Sequence, residues 1–441
     1  MDKAKVTMEP VYQDTHVTVY CADVLEALRA LPEKSVHCCV TSPPYFALRD
    51  YKLPPSIWDA TADCQHEWDD APYVRRSNDN KGHKGTEKQW TNAGSCGRDN
   101  PVHSAFCGKC GAWSGVLGLE PEPGLYVRHL VQVCREIKRV LRDDGTFWLN
   151  LGDSHAGSWG NYGGGNRGKG GGQREITTGS KCHQVAYDGL EGLRPPTSNK
   201  MGNIKPKDLI GIPWAVAFAL REDGWWLRSD IVYNKVNALP ESVEDRCTRS
   251  HEYIFMLAKS KHYFYDHIAV LEEFQGKDER KWAGSYDESG SILQGESNAG
   301  VMRTKRYPST EGRNRRSVWS LPTAVYVGAH YASFPEALVE TPIKAGTSEY
   351  GCCAECGAPY QRKMLKPEMP DSALTELFTQ WVKTCHCATK DVDKPVVLDP
   401  FCGTGTTLWV AKKLGRQSIG IDLSTDFCDL TTERNRQQTF L

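Results

Sequence analysis

The chain has 441 residues, of which 39% are hydrophobic and 25% are charged, and its formal net charge is −1. This composition is ordinary for a globular protein, and the length suits two domains or one large α/β domain with insertions. No segment approaches the roughly 18 apolar residues that a membrane helix needs. The amino terminus lacks the apolar run of a secretory signal. We therefore expect a cytoplasmic protein and exclude an integral membrane protein.

Strands and helices alternate along the chain. In the first half the predicted elements are a strand at 16–22, a helix at 23–31, a strand at 36–42, a helix at 124–141, a turn at 143–145 and a strand at 146–153. In the second half they are a helix at 206–222, strands at 225–235 and 252–260, a helix beginning near Pro335, a strand at 395–400, a helix at 406–415 and a strand at 417–423. The alternation predicts a parallel sheet in a doubly wound α/β fold.

Four polar segments interrupt this alternation, and we interpret them as insertions on loops of the sheet. They lie at 46–118, 154–205, 266–317 and 350–388. The second is rich in glycine and contributes little apolar surface to a core. Within the third, residues 303–316 carry six Lys or Arg against one Glu, which suits a local contact with DNA phosphates as well as a solvated loop.

A glycine-rich turn at 399–406, DPFCGTGT, follows a predicted strand and opens a predicted helix. Ligands of doubly wound sheets bind at this end of the strands, where glycine lets the backbone approach them and a helix amino terminus presents N–H groups to a carboxylate. Asp422 follows the next strand and is placed to accept hydrogen bonds from ribose hydroxyls. No third glycine follows Gly403 and Gly405 at dinucleotide spacing, which disfavours a nicotinamide or flavin site without excluding it.

The segment Thr41-Ser42-Pro43-Pro44-Tyr45 ends a predicted buried strand and lies at the same edge of the sheet. Its prolines carry no N–H, so carbonyl oxygens are left as acceptors, while Ser42 adds a hydroxyl and Tyr45 an aromatic face. An exocyclic amino group of a base is a poor nucleophile, because its lone pair is delocalised into the ring. Hydrogen bonds to the Ser42 hydroxyl and the Pro43 carbonyl would hold it for in-line attack on the methyl group of S-adenosylmethionine (SAM). The alternative is a strand that merely ends in a proline turn.

TSPPY near the amino terminus and DPFCGTGTT near the carboxyl terminus together resemble the amino-DNA methyltransferases of the β order, across most of the chain. In that family the catalytic motif comes first, a target-recognition region follows and the cofactor motif comes last. The resemblance implies a circularly permuted, Rossmann-like SAM methyltransferase sheet that acts on a base flipped out of double-stranded DNA. It assigns the catalytic role to Ser42, Pro43, Pro44 and Tyr45, with Tyr45 stacking on the base. A homodimer and a separate cognate restriction nuclease are left open as partners.

The resemblance also assigns the cofactor site. Asp23 matches the acidic residue that contacts the adenine ring of SAM, and its strand is expected to neighbour the strand that ends at Asp422. Phe334 and Pro335 lie in a segment similar to the one that closes over the methionine part of SAM, and residues 233–237 resemble the lining of the base pocket. The predicted cofactor residues are Asp23, Phe334, Pro335, Asp399, Phe401, Cys402, Gly403, Thr404, Gly405, Thr406 and Asp422.

Two positions depart from the pattern of the family. Cys402 stands where the family often has glycine, which should only narrow the turn. Ser42 stands where many adenine enzymes carry Asp, and a neutral acceptor suits the amino group of cytosine. The sequence therefore favours methylation of cytosine N4, with adenine N6 as the alternative.

The resemblance and the insertions together predict the organisation of the chain. A catalytic half at 1–153 with a Cys-rich insertion at 46–118 is followed by a Gly-rich loop at 154–205, the rest of the catalytic half at 206–265, a target-recognition region at 266–320 and a SAM-binding half at 321–441 with a Cys-rich insertion at 350–388.

Two groups of cysteines lie in the polar insertions. Each combines a C-x2-C knuckle with a second pair of ligands some 30 to 40 residues away, a spacing typical of structural zinc. The predicted ligands are Cys64, His66, Cys107 and Cys110 in the first insertion, and Cys353, Cys356, Cys385 and Cys387 in the second. For the first group Cys96, His83 and His103 compete, and for the second Cys352 and His386 are substitutes.

Two other classes of function are open from the sequence alone. A methyltransferase for RNA or for a protein amide usually carries Asn before Pro-Pro-Tyr and its cofactor turn upstream, and neither holds here. A non-catalytic, zinc-stapled DNA-binding protein would not need the intact SPPY segment or the glycine turn.

Overall fold

A computed structural model of the chain describes residues 8–69, 105–156, 204–205, 207–272, 313–324, 334–365 and 378–437. The strands are β1 (Tyr12–Gln13), β2 (Val17–Cys21), β3 (Val36–Thr41), β4 (Ser56–Trp58), β5 (Ala105–Phe106), β6 (Trp113–Gly115), β7 (Leu141–Leu151), β8 (Trp226–Lys235), β9 (His251–Ala258), β10 (Val318–Leu321), β11 (Cys352–Cys353), β12 (Gln361–Leu365), β13 (Phe378–Val382), β14 (Val392–Asp393), β15 (Val396–Asp399) and β16 (Gln417–Asp422). The α-helices are α1 (Val24–Ala30), α2 (Pro123–Val140), α3 (Ile212–Glu222), α4 (Glu336–Gly346), α5 (Thr406–Lys413) and α6 (Thr425–Arg436), and Ile268–Val270 form a 3-10 turn.

Nine strands form the main sheet, in the order β1-β2-β16-β15-β3-β7-β9-β8-β10. The five strands from β2 to β7 are parallel, whereas β9 runs antiparallel to both of its neighbours. The prediction of a parallel sheet is therefore wrong for this side, and the sheet is mixed. The reason is that no helix crosses over between β8 and β9, so the chain turns back and the two strands pair antiparallel.

Helices cover both faces of the sheet. On one face α1, α2 and α3 bury residues such as Leu28, Ile137 and Val216 against the strands. On the other face α4 and α5 bury residues such as Ile343 and Val410. Every residue of β3 is buried, as expected for a central strand that is covered on both sides. None of the helices in the described ranges is long and apolar enough to cross a membrane.

The first and last parts of the chain meet in this sheet. Strand β2 pairs with β16 in parallel, with Cys21 opposite Asp422. The predicted neighbourhood of the strand before Asp23 and the strand that ends at Asp422 is confirmed. The two ends of the sequence therefore contribute to one continuous sheet.

Two element boundaries differ from the prediction. Strand β7 begins at Leu141, and residues 143–145 form an irregularity within it rather than a turn before it. A side chain at Gly145 would lie 2.6 Å from Leu141 and 2.9 Å from the carbonyl of His37, so the irregularity needs glycine. Helix α3 begins at Ile212 rather than 206, because Gly211 adopts a left-handed conformation with φ of 82° just before it.

Three small sheets accompany the main sheet. Strands β4, β6 and β5 form one of them within the first Cys-rich insertion, and β11 with β14 and β12 with β13 form hairpin-like pairs in and beside the second. Helix α6 and strand β10 were not predicted. Strand β10 overlaps the end of the range assigned to target recognition and extends the main sheet beside β8. The glycine-rich run and most of the basic run at 303–316 lie outside the described residues.

Candidate active site

The turn after β15 is held in a conformation that only glycine adopts readily. Gly403 and Gly405 have φ of 51° and 72°, and Gly405 caps the amino terminus of α5. A side chain at Gly405 would also lie within 2.8 Å of Thr431 and 2.9 Å of Asn435 on α6. The turn therefore depends on both backbone freedom and close packing.

A cleft that encloses about 930 Å³ of empty space, part of it open to solvent, lies beside this turn. From the turn itself Phe401, Cys402, Gly403, Thr404 and Thr406 line it. From other elements the predicted site residues Asp23, Ser42, Pro44, Phe334 and Asp422 line it as well. The structure thus brings the two motifs, separated by more than 350 residues, to one cavity at the carboxyl edge of the sheet.

The acidic residues in the cleft are also bonded to the protein. Asp422 accepts the backbone N–H of Gly403 at 2.9 Å, and burial raises the pKa of its carboxyl. Asp23 caps α1 by accepting the N–H of Leu25 at 2.9 Å, and its second oxygen accepts the Ser56 hydroxyl at 2.6 Å. Both carboxylates are thereby fixed in orientation at the cleft wall.

Three predicted cofactor residues do not line the cleft. Pro335 is the residue before the first turn of α4, and Gly405 lies under the turn against α6. Asp399 is buried below the cleft, so a direct contact with the cofactor does not fit its position.

The Asp399 carboxylate joins two strands instead. One oxygen accepts the hydroxyl of Thr41 at 2.6 Å and the N–H of Phe401 at 3.2 Å, and the other accepts the hydroxyl of Thr407 at 2.6 Å. Burial raises its pKa to about 6, while the two threonine hydroxyls oppose the shift. Thr41 immediately precedes Ser42, so this carboxylate ties the SPPY segment to the glycine turn.

The SPPY segment has one side toward the cleft and another toward the sheet. Ser42 and Pro44 line the cleft, whereas Pro43 is buried. The Tyr45 ring packs against Gly152, where an added side chain would lie 2.5 Å from it. The Pro44 carbonyl accepts the hydroxyl of Tyr126 at 2.9 Å, so helix α2 fixes the segment from below.

A polar network on the far side of Ser42 was missed from the sequence. The Ser42 hydroxyl donates to the Tyr45 hydroxyl at 3.1 Å, which donates to the Glu252 carboxylate at 2.8 Å. Asn150 donates to both Tyr45 and Glu252, at 2.8 and 2.9 Å, and Lys235 forms an ion pair with Glu252. Burial raises the pKa of Tyr45 well above its ordinary value, and the charge of Glu252 adds to the shift.

One signal in the sequence pointed to this network. Asn150 is a polar residue in the otherwise apolar run at 147–151, and its Oδ1 is buried without a hydrogen-bond partner in the described part of the chain. Glu252 could not be found in that way, since it belongs to the site only because β9 runs antiparallel and begins at this edge.

Both predicted cysteine groups assemble. We call Cys64, His66, Cys107 and Cys110 the first cluster, and Cys353, Cys356, Cys385 and Cys387 the second cluster. In each, the four ligand atoms lie within 4.8 Å of one another. The knuckle glycines Gly111 and Gly357 have φ of 74° and 70° and donate their N–H to the carbonyls of Cys107 and Cys353. The competing residues of the first group, at 83, 96 and 103, lie outside the described residues.

The fold is an α/β sheet with a cleft at the carboxyl edge of its parallel strands. Comparison with known proteins identifies the family. Residues 36–433 match the model of the DNA methylase family of N6 and N4 methyltransferases. The Type II methyltransferase M.Cfr9I of Citrobacter freundii is 33% identical over 417 residues, which are 95% of this chain and 87% of that protein.

Two further known proteins also align with most of this chain. M.XycI of Xanthomonas campestris pv. cyanopsidis, also a Type II methyltransferase, is 32% identical and aligns over 96% of this chain and 88% of that protein. A solved structure of PvuII DNA methyltransferase, described as cytosine-N4-specific, is 14% identical, with a TM-score of 0.46 over 98% of this chain and 90% of that one. The chain belongs to the DNA methylase family and is a SAM-dependent amino-methyltransferase of DNA.

The position of Asp399 predicts a pH-dependent stability. The pKa of its carboxyl is about 6 in the folded protein, against an ordinary value of 3.8. Between these two pH values the folded state binds a proton that the unfolded state has lost, so the free energy of unfolding falls as the pH rises through this window. In Asp399→Asn this group no longer titrates. We expect the free energy of unfolding of the wild type, relative to this variant, to fall by about 2 to 3 kcal/mol between pH 4 and pH 7.

Urea denaturation of both proteins at the two pH values measures this difference. A difference that stays constant with pH would show that Asp399 does not titrate in this window.

Proposed function

We propose that this enzyme methylates cytosine N4 in double-stranded DNA, and that Ser42 and the Pro43 carbonyl hold the target amino group. The role of Ser42 rests on the direction of the hydrogen bonds behind it, and the choice of cytosine rests on Ser42 standing where many adenine enzymes carry Asp. An ionised Glu252 only accepts, so Tyr45 donates to it, and Ser42 in turn donates to Tyr45. The Ser42 oxygen then presents its lone pairs, which suits an amino group that offers two hydrogens.

The chain's own residues would carry the reaction by position and electrostatics. Bound SAM supplies an electrophilic methyl group. Ser42 and the Pro43 carbonyl accept the two amino hydrogens and favour a tetrahedral nitrogen with its lone pair turned to the cleft. Phe334 and the turn at 401–406 would hold the cofactor, and Asp422 and Asp23 would accept its ribose and adenine hydrogen bonds. Asp399 acts as a positioning residue beneath them.

Adenine N6 is the second candidate for the target atom. The same Ser42 oxygen would accept hydrogens from an adenine amino group, so the network does not by itself choose the base. Cytosine is favoured because Ser42 replaces the Asp that many adenine enzymes carry.

The base is identified by digesting DNA that the purified enzyme has methylated and analysing the nucleosides by mass spectrometry. We expect N4-methylcytosine to increase with incubation time and to be absent when SAM is omitted. An increase in N6-methyladenine alone would contradict the choice of base while leaving the family intact.

The Ser42 hydrogen bonds predict a defect in kcat rather than in cofactor binding. Removing one stabilising hydrogen bond typically lowers the rate about 10²-fold, and we expect this loss in kcat for Ser42→Ala. We also expect a lower kcat for Glu252→Gln, because a glutamine amide can donate and would disturb the chain of hydrogen bonds. The Kd for SAM should change little in either variant.

Radiolabelled methyl transfer measures kcat, and titration calorimetry measures the Kd. Ser35→Ala is the matched control, since Ser35 lies at the opposite end of the same strand and bonds only to Pro32 among the described contacts. If Ser42→Ala transferred methyl groups at the wild-type rate, Ser42 would have no role in holding the base.

The strand order supports a circular permutation. Strand β15, which leads into the proposed cofactor turn, comes late in the chain but lies next to the central strand β3, and β2 from the start of the chain continues the series beyond β16. We infer that the sequence was rearranged so that the catalytic half at 1–153 precedes the SAM-binding half at 321–441. We assign target recognition to 266–320, helped by the loop at 154–205.

Zinc is proposed for both clusters because the donor geometry fits it. A tetrahedral ion with bonds of about 2.3 Å to sulfur places its ligands about 3.8 Å apart. In the first cluster the Cys64 and Cys107 sulfurs are 4.0 Å apart, and the Cys110 sulfur is 3.4 Å from Nδ1 of His66. Four protein ligands close the coordination shell, so these ions would be structural.

Elemental analysis tests this assignment. We expect two zinc ions per chain in the wild type after removal of loosely bound metal. Each cluster should lose one ion when one of its cysteines is changed. A wild-type protein without zinc would contradict the assignment.

A further inference from the structure

The first cluster is built into one wall of the cofactor cleft. Strand β4 contributes Ser56 and Trp58 to the cleft, and the residues after β6 contribute Val116 and Leu117. Strands β4 and β6 pair antiparallel, with Trp58 opposite Trp113. Between the two strands the chain passes through all four ligands of the first cluster. We call Ser56, Trp58, Val116 and Leu117 the insertion wall.

We propose that zinc in the first cluster sets the affinity for SAM by fixing the insertion wall, whereas zinc in the second cluster serves only the fold. The inference rests on the proposed zinc occupancy and adds to it a function for one of the two ions.

The insertion wall reaches both functional motifs. Ser56 donates its hydroxyl to Asp23 at 2.6 Å, the residue predicted to contact the adenine ring. Gly118, directly after Leu117, packs against Pro44 so tightly that an added side chain would lie 3.2 Å from it. Its carbonyl accepts the N–H of Ala47 at 2.9 Å. A displacement of this wall would therefore move a cofactor contact and the SPPY segment together.

One end of the wall is anchored to the main body of the protein. The His129 ring on α2 lies between the indoles of Trp58 and Trp113, with ring centroids 4.9 and 5.3 Å away. Its Nδ1 is 3.0 Å from the carboxylate of Glu120, which is fully buried beside it, and its Nε2 is 3.3 Å from Asp59. The Nε2 contact is close in distance but poorly aligned, so the Glu120 bond is the stronger of the two.

The other end depends on the first cluster. The small sheet has strands of two or three residues, which is too short for independent stability. Cys107 follows β5 directly, and Cys64 and His66 come from the segment after β4, some 40 residues earlier in the chain. An ion shared by these ligands joins the two segments and so reduces the conformational entropy that the chain has when they are apart.

The second cluster contacts the opposite edge of the sheet. The Cys356 carbonyl accepts Nη1 of Arg142 at 2.6 Å, and the Gly357 carbonyl lies 2.9 Å from Nε2 of His37. His37 and Arg142 belong to the beginnings of β3 and β7, whereas the cleft lies beyond the ends of the parallel strands. No residue of 350–365 or 378–393 lines the cleft. The second cluster is therefore a matched control.

The test compares Cys110→Ser with Cys356→Ser, each of which changes the second cysteine of a knuckle. Zinc content, SAM affinity by calorimetry and thermal stability are measured on the same preparations. We expect each variant to lose one zinc ion. The Kd for SAM should rise about tenfold in Cys110→Ser, if the ordered wall falls to about a tenth of the molecules, and stay within about twofold in Cys356→Ser.

His66→Cys and His66→Ala provide a second comparison should Cys110→Ser not fold. His66→Cys keeps four ligands and should retain zinc and SAM affinity, while His66→Ala should lose both. A variant that loses zinc from the first cluster but binds SAM like the wild type would overturn the coupling and leave the zinc assignment intact. A wild type without zinc would overturn the assignment itself.

Discussion

A buried carboxylate holds the two halves of the active site together. Asp399 ends the strand that leads into the cofactor turn, and Thr41 ends the strand that leads into the SPPY segment, and the two side chains are bonded at 2.6 Å. A second threonine, Thr407 in the first turn of α5, bonds the other oxygen. Burial of a carboxylate is costly, and hydrogen bonds to a charged group offset it by about 1.5 to 3 kcal/mol each. These bonds fix the position of the SPPY segment relative to the glycine turn.

From this joint the site extends in two directions. Toward the cleft lie the glycine turn and the insertion wall, which enclose the volume beside Ser42. Toward β9 lie Tyr45, Asn150 and Glu252, which fix the direction in which the Ser42 hydroxyl donates. Ser42 is the residue common to both sides. This position is the basis for our proposal that the same serine affects both the rate of transfer and the choice of base.

Much of the fold follows from local patterns in the sequence. The apolar run of β3 and the glycine turn after β15 are encoded within about ten residues each, so strand, turn and helix were predicted close to their observed bounds. The cysteine clusters were predictable for a similar reason, since a knuckle and its glycine are local. The pairing of β2 with β16 was predicted from the order of the two motifs along the chain, and not from the spacing of residues within either strand.

The remainder depends on contacts between distant segments. Glu252 enters the site only because β9 runs antiparallel, and periodicity does not reveal strand direction. The insertion wall, with Trp58 and Val116, forms because strands β4 and β6 pair within a polar insertion that the sequence predicts as a loop. The motif at the end of a strand predicts Asp399 as a cofactor ligand, but its side chain turns inward to two threonines.

The most direct measurement is a crystal structure of the enzyme with S-adenosylhomocysteine and a duplex that carries its methylation site. We expect the cofactor product in the cleft beside Asp422, and a flipped cytosine whose amino nitrogen lies within hydrogen-bond distance of the Ser42 hydroxyl and the Pro43 carbonyl. A base bound away from Ser42, or a cofactor outside the cleft, would contradict the joining of the two motifs in one active site.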